Sequence, residues 1–364
     1  MSPEPPAVRS ATEPPESRGL ARDGVRLLVA RWRHRVAHRR FTDLPAALRA
    51  GDLLVVNTSA TEPAAVEGHR AGGQPVVLHI SGPAPTDGAQ YGSALHVVEL
   101  RTPDGHRLLD ARAGERVHLP RGVTAVLHRA YPDGSATTGN RLWLARIPVE
   151  GGPAGWLTAV GRPITYSYLR GRWPLNAYRT IFATPDGTFG SAEMPSAGRP
   201  FSADVLAGLH ARGVRIAEIV LHTGVSSLEA GETPLAERYR VPWATADAVN
   251  ATRAAGGRVV AVGTTVTRAL ETVADEDGTV RPGSGWTDLV LGPDRPARVV
   301  TGLVTGWHEP EASHLLLLRA VAGDALVERA YAAAAERRYL WHEFGDSALL
   351  LPSAVATNVA GLIA

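Results

Sequence analysis

Apolar and polar positions follow two different textures along this chain. Val25 to Trp32 is an apolar run that predicts a strand, and Phe41 to Arg49 predicts a short helix entered at Thr42-Asp43 and Pro45 and stopped by Gly51-Asp52. Leu53-Leu54-Val55-Val56 is a compact apolar run of strand length ending in the turn or cap residues Asn57-Thr58-Ser59. Between about Val66 and Glu150 the texture changes to short β-prone runs: Val76–Ile80, Leu95–Leu100, Arg116–Leu119, Val123–Leu127 and Arg141–Ile147, each set off by Gly, Pro or Asp. Several short strands at close spacing predict a small antiparallel barrel or sandwich, here an inserted domain over 66–152.

From Ala203 onward strands and helices alternate. Asp204–Arg212, Thr245–Ala255, Thr267–Ala274, Ser313–Ala320 and Ala325–Arg337 read as helices; Ile216–Leu221, Val259–Val262, Trp286–Leu291 and Arg298–Leu303 read as strands. That order predicts βαβ packing around a mostly parallel sheet, formed by residues 25–65 and 153–364. Residues 1–24 carry Pro3, Pro5, Pro6, Pro14 and Pro15 and no apolar core of a secretion signal, so they read as a disordered lead. The apolar stretch His314–Val321 contains Arg319 and is too short to span a bilayer. A cytoplasmic protein with no membrane association is expected.

Composition narrows the chemistry. With 364 residues and 44% hydrophobic content, the chain can bury a full core. It has no Cys, which excludes disulfides, thiolate metal sites and cysteine nucleophiles. It also has no Lys, which excludes a P-loop lysine and a Schiff base. A formal charge of +2 permits a nucleic-acid partner without demanding one.

Among candidate sites, Arg258 to Glu271 is the most informative segment. A buried strand runs into Gly263-Thr264-Thr265 and directly into a helix, presenting free N–H groups and two hydroxyls at a positive helix end where a carboxylate, phosphate or ribose can bind. The same residues also make sense as a tight turn with capping threonines. His222 follows the Ile216–Leu221 strand, at the carboxyl end where α/β enzymes place their sites, and suits acid/base work or a structural hydrogen bond. His308 follows the last predicted strand and would lie at the same edge. Pro310 interrupts any helical pairing of His308 with His314, and no metal site is expected. Asp346 could orient a histidine or bind a ribose hydroxyl, or simply satisfy N–H groups of a turn.

Val262-Gly263-Thr264-Thr265, followed after two residues by Arg268 and then Leu270-Glu271, resembles a hallmark segment of the S-adenosylmethionine:tRNA ribosyltransferase-isomerase family of queuosine synthesis. Phe41-Thr-Asp-Leu-Pro, Gly51-Asp-Leu-Leu-Val-Val-Asn57, Tyr178-Arg-Thr-Ile-Phe-Ala183, Pro195-Ser-Ala-Gly198, Leu221-His-Thr-Gly224, Thr305-Gly-Trp-His308 and Phe344-Gly-Asp346 match in the same order. The similarity spans about Leu27 to Leu351. It implies an α/β catalytic domain, barrel-like with a mostly parallel sheet, carrying an inserted small antiparallel β-barrel, with the site near the cleft between them. It implies transfer and rearrangement of the ribosyl part of S-adenosylmethionine onto a 7-aminomethyl-7-deazaguanine in tRNA, giving epoxyqueuosine with release of adenine and methionine. S-adenosylmethionine is then a co-substrate and no cofactor is needed; tRNA is the candidate partner, and a monomer is expected. The implied catalytic residues are His222, His308, Asp346 and Glu237; the implied substrate-binding residues are Gly263, Thr264, Thr265, Arg268, Ser196, Gly198 and Asn57.

Several positions depart from the family pattern. Thr58-Ser59-Ala60 stands where Asp-Thr-Arg is usual, Ala65 replaces a second arginine, Arg199-Pro200-Phe201-Ser202 replaces Leu-His-Phe-Thr, and Val225-Ser226-Ser227-Leu228 replaces a glycine-rich loop. Two competing readings are a relative using the same sulfonium chemistry on a small-molecule acceptor and a non-catalytic nucleoside-binding module.

Overall fold

The computed structural model describes residues 9–85, 95–132, 139–185, 189–225, 235–308 and 313–352. At its centre the Leu53–Asn57 strand is buried at every position. Side chains alternate across a strand, so Leu53 and Val55 join one core with Val249, Val266 and Leu318, whereas Leu54 and Val56 join another with Phe41, Val205 and Leu209. Apolar residues at successive positions are therefore demanded by helices on both faces.

This strand belongs to a nine-stranded sheet in the order Gly283–Thr287, Glu237–Val241, Arg215–His222, Leu53–Asn57, Val259–Val262, Gly302–Thr305, Ser347–Leu351, Arg26–Arg31 and His34–Arg40. Arg215–His222, Leu53–Asn57, Val259–Val262 and Gly302–Thr305 pair in parallel, so all four end on one edge. The sheet as a whole is mixed and open, which corrects the expectation of a mostly parallel, barrel-like one. Ser347–Leu351 returns antiparallel beside Gly302–Thr305, and the outermost pairs on both flanks are antiparallel as well. Parallel neighbours need long crossovers, whereas Arg26–Arg31 and His34–Arg40 are joined by a tight return, which gives an antiparallel pair.

The second body is a closed antiparallel barrel ordered Leu142–Arg146, Leu95–Arg101, Pro75–Pro83, Ala65–Arg70, Arg116–His118 and Thr124–Tyr131. It has its own core around Val66, Leu78, Val98, Leu100, Leu127 and Trp143. The protein is thus an α/β fold with an antiparallel β-barrel set between two stretches of the sheet-forming chain.

Three further expectations change. The predicted strand at 298–303 begins only at Gly302. The N–H groups of Arg298, Val299 and Val300 instead donate to the buried Glu271 carboxylate at 2.8, 2.8 and 3.0 Å, so a side chain takes the place of a ladder partner. The helix expected over Phe41–Arg49 shrinks to a 3-10 turn and Leu44–Ala47. Most consequentially, residues from Arg9 onward are not a disordered lead. Arg9–Ser10 pairs in parallel with Leu340–Trp341, Glu16 accepts from Arg199 at 2.8 Å, and the Ser202 hydroxyl donates to Asp23 at 2.6 Å. Local composition could not reveal this, because the partners lie far along the chain. No helix among the described residues is long and apolar enough to cross a membrane.

Candidate active site

The four parallel strand ends bring Asn57, His222 and Gly263 to one edge, and the side chain of Asn57 organises the turns that leave it. Asn57 is buried; its Oδ1 accepts from the N–H of Leu221 at 3.0 Å and of Ser59 at 3.1 Å, while its Nδ2 donates to the Leu221 carbonyl at 2.8 Å. The amide acts as one more rung between two strands. It also reaches Thr265 Oγ1 at 3.4 Å, linking the strand end to the first turn of the next helix.

Fixing Ser59 matters because its hydroxyl lies 2.9 Å from His222 Nδ1 and 2.7 Å from Ser191 Oγ. Ser191 in turn accepts the Thr223 N–H at 3.0 Å. A buried chain of hydroxyls therefore orients the imidazole. Ser191 escaped sequence reasoning altogether, since nothing local marks a serine that meets its partner 132 positions away.

His222 lines a cleft of about 400 Å³ whose walls come from both bodies: Ser81, Gly82 and Tyr131 from the barrel, Gly224, Glu237 and Trp286 from the sheet side. Glu237 is buried there. Burial raises its carboxyl above the ordinary carboxylate range, against the opposing pull of Arg268 and of the Gly224 N–H, which donates to Oε1 at 3.4 Å. Arg268 makes a close ion pair with Glu237 Oε2. Its other bonds go to the carbonyls of Leu289, Leu235 and Thr287 at 3.2, 3.1 and 3.0 Å. Expected as a substrate ligand, Arg268 is instead committed to holding Glu237 and the segments around it.

The helix Gly263–Thr272 begins at Gly263 with no side-chain cap, so Thr264 and Thr265 do not serve as its caps. Gly263 has φ +90°, a region open to glycine, and a Cβ there would lie 3.2 Å from the Ala197 Cβ. The Ser196–Gly198 turn thus packs directly on the helix start. Gly198 is equally confined, since a Cβ would meet Thr180 Cγ2 at 3.3 Å. Ser196, Gly198, Gly263, Thr264 and Thr265 are in this way gathered at the same edge.

Two expected residues stand apart from the cleft. His308 is stacked on His314, with ring centroids 4.5 Å apart and planes within 6°. Burial, then the neighbouring His314 and His342, hold it well below the ordinary histidine range, so it is neutral at physiological pH. It does not line the cleft with His222. Asp346 is a clamp rather than a partner of a histidine. Its oxygens accept the Arg26 N–H at 2.8 Å, the Arg26 guanidinium at 2.9 and 2.7 Å and the Leu340 N–H at 2.8 Å. Arg199, the arginine new to its motif, is likewise bound to Glu16 and to the Ala177 carbonyl at 3.1 Å. Ser226 to Leu228 and Glu309-Pro310 lie outside the described residues.

A family model described as "Queuosine biosynthesis protein" matches residues 4–350. An S-adenosylmethionine:tRNA ribosyltransferase-isomerase of Symbiobacterium thermophilum is 37% identical, covering 91% of this chain and 94% of its own. Proteins of the same name from Moorella thermoacetica and Desulfitobacterium hafniense are each 33% identical, covering 91% and 95% of this chain and 94% and 97% of their own. The crystal structure of an S-adenosylmethionine tRNA ribosyltransferase from Thermotoga maritima overlaps 94% of this chain and 96% of its own, with 27% identity and a TM-score of 0.49.

Proposed function

The chain belongs to the queuosine biosynthesis protein family, and on that premise we propose that it is an S-adenosylmethionine:tRNA ribosyltransferase-isomerase acting in the cytoplasm, where its tRNA is found. The observation that carries this reading is the pairing of His222 and Glu237 in one cleft, each held from behind: the imidazole by Ser59, the carboxylate by Arg268. A monomer suffices, because both walls of the cleft come from one chain.

The chemistry requires proton movement more than charge transfer to a cofactor. The sulfonium of S-adenosylmethionine acidifies the adjacent C5′ protons. A positioned base removes one, the ribose opens, adenine leaves with a proton, the amine of the deazaguanine bonds to the electrophilic carbon so exposed, and methionine leaves as the carbon–sulfur bond breaks and the epoxide oxygen takes its place. The Ser191–Ser59 hydroxyl pair holds the His222 ring at Nδ1 and so orients the imidazole for proton transfer. Glu237 has a raised affinity for a proton and lies in the same cleft, so it suits the complementary acid or base role. Gly263 and the Ser196–Gly198 turn pack on one another at the strand ends, where the uncapped start of the helix can offer backbone N–H groups to a sugar or carboxylate.

The test is incubation of the protein with S-adenosylmethionine, with and without tRNA bearing 7-aminomethyl-7-deazaguanine, followed by chromatography. Adenine and methionine should appear only with that tRNA. Release with a small-molecule acceptor alone, or none under any condition, would replace this reading.

A further inference from the structure

The strands Arg215–His222, Glu237–Val241 and Gly283–Thr287 form one flank of the nine-stranded sheet, with Gly283–Thr287 outermost. Side chains alternate across a strand. Ala217, Ile219, Leu221 and Val241 join the core with Val249 and Val266, on the face packed by the helices Trp243–Ala254 and Gly263–Thr272. The even-numbered residues take the other face, where Ile216, Glu218, Arg240, Ser284 and Trp286 are exposed. Antiparallel strands can leave one face to water, and polar residues are expected there. Ile216 and Trp286 break that pattern, each 38% exposed.

Pairing sets two rows across this face. His222 lies opposite Arg238 and Arg238 opposite Trp286; Val220 lies opposite Arg240 and Arg240 opposite Ser284. Opposed residues share a face and neighbouring strands lie about 4.8 Å apart, so Trp286 stands roughly 10 Å from His222 along the first row. His222, Arg238 and Trp286 all line the cleft, so the open face runs out of it without interruption. Arg238 donates to the Phe189 carbonyl at 3.1 Å and belongs to the frame of the cleft. Arg240 is exposed and diagonal to Trp286, within reach of about 7–8 Å. Among the described residues no other aromatic ring lies against Trp286. The carboxylate on this face, Glu218, is two residues farther from the cleft than Val220.

An exposed aromatic ring takes the face of an unpaired base, and a neighbouring guanidinium takes its phosphate; sheet surfaces that bind single-stranded RNA combine the two. We propose that the face carrying Trp286 and Arg240 docks the RNA strand next to the nucleotide being modified, with an unpaired base stacked on Trp286 and a phosphate at Arg240. This rests on the functional reading above for the partner, tRNA.

Binding of labelled tRNA bearing 7-aminomethyl-7-deazaguanine, followed by fluorescence anisotropy, tests it. Trp286→Ala should weaken binding by about tenfold or more, and Trp286→Phe, which restores a ring, should recover it to within about threefold of the parent. Arg240→Ala should lower the slope of log affinity against log salt by about one while leaving S-adenosylmethionine binding unchanged in calorimetry. A fully paired RNA duplex offers no free base face, so on it Trp286→Ala should change affinity by less than about twofold. Parent-like tRNA affinity in a folded Trp286→Ala protein, or an equal loss on the duplex, would overturn the docking surface. If the unaltered protein releases adenine with tRNA while both alanine variants bind tRNA as it does, the surface falls and the functional reading stands. If tRNA binding depends on Trp286 but no adenine is released, the reverse holds.

Discussion

The barrel and the sheet edge each bury carboxylates, and they treat them in opposite ways. In the barrel, Glu99 is buried beside Arg101 at 2.9 Å, with Arg141 at 3.6 Å, Arg107 at 3.7 Å and His79 at 3.8 Å. Burial alone would raise its carboxyl, but His79 and the guanidiniums of Arg101 and Arg141 hold it at about 2. At the sheet edge, burial prevails: Glu343 is lifted to about 7 and Glu237 is raised despite Arg268. A buried charge surrounded by partners holds structure, whereas one left short of partners keeps a proton to exchange. Glu99 of the barrel is in this respect like Glu271 and Asp346 of the sheet body, whose oxygens are also taken up by partners, and unlike Glu343 at the edge.

Removing Glu99 should have the largest effect. Glu99→Ala removes the carboxylate that Arg101 pairs with in a buried site, and urea denaturation should show a loss of about 3 kcal/mol. Loss of stability within error of zero would erase the contrast between the two kinds of buried carboxylate.

His222→Gln attacks the edge instead. It keeps a hydrogen-bonding side chain but cannot titrate, so adenine release should fall by ~10²-fold or more while S-adenosylmethionine binding persists. Turnover near the parent rate would make the imidazole structural and leave Glu237 as the principal proton-transfer group.

Gly263→Val should act on binding more than on chemistry. A branched side chain is strained at φ +90° and crowds Ala197, so a folded variant should bind S-adenosylmethionine about tenfold more weakly, ~1.4 kcal/mol by calorimetry. Equal affinity would remove this turn from the site.

The smallest effect sharpens the electrostatic contrast through pH. A carboxyl whose folded pKa is raised contributes stability that is present below its unfolded value and lost as pH rises through the folded one. For Glu343 that window runs from the ordinary carboxylate range up to about 7. Glu343→Gln should therefore gain melting temperature relative to the parent more at pH 8 than at pH 5. Glu99 has the opposite sign: its contribution is present above the ordinary range and lost as pH falls toward about 2. Parallel pH profiles for the two proteins in thermal denaturation would contradict the assignment for Glu343.

By itself the sequence determined the α/β order, the inserted β-domain, the family and the motif that runs from Val262 to Glu271, because these depend on local periodicity and on short contiguous segments. It also placed His222 and Gly263 at strand ends, since a strand followed by a turn is a local event. Only the tertiary structure decided what each polar side chain meets. Asp346 looked like a candidate for the site and is a clamp for Arg26, 320 positions away. Arg268 looked like a ligand for substrate and pairs with Glu237, whereas Ser191, silent in the sequence, completes the chain behind His222. Glu343 gained its raised carboxyl from burial, and the N-terminal segment gained its order from contacts with Trp341 and Arg199. Hydrogen-bond partners and desolvation are properties of packed neighbours, and packing joins residues whose separation along the chain leaves no local trace.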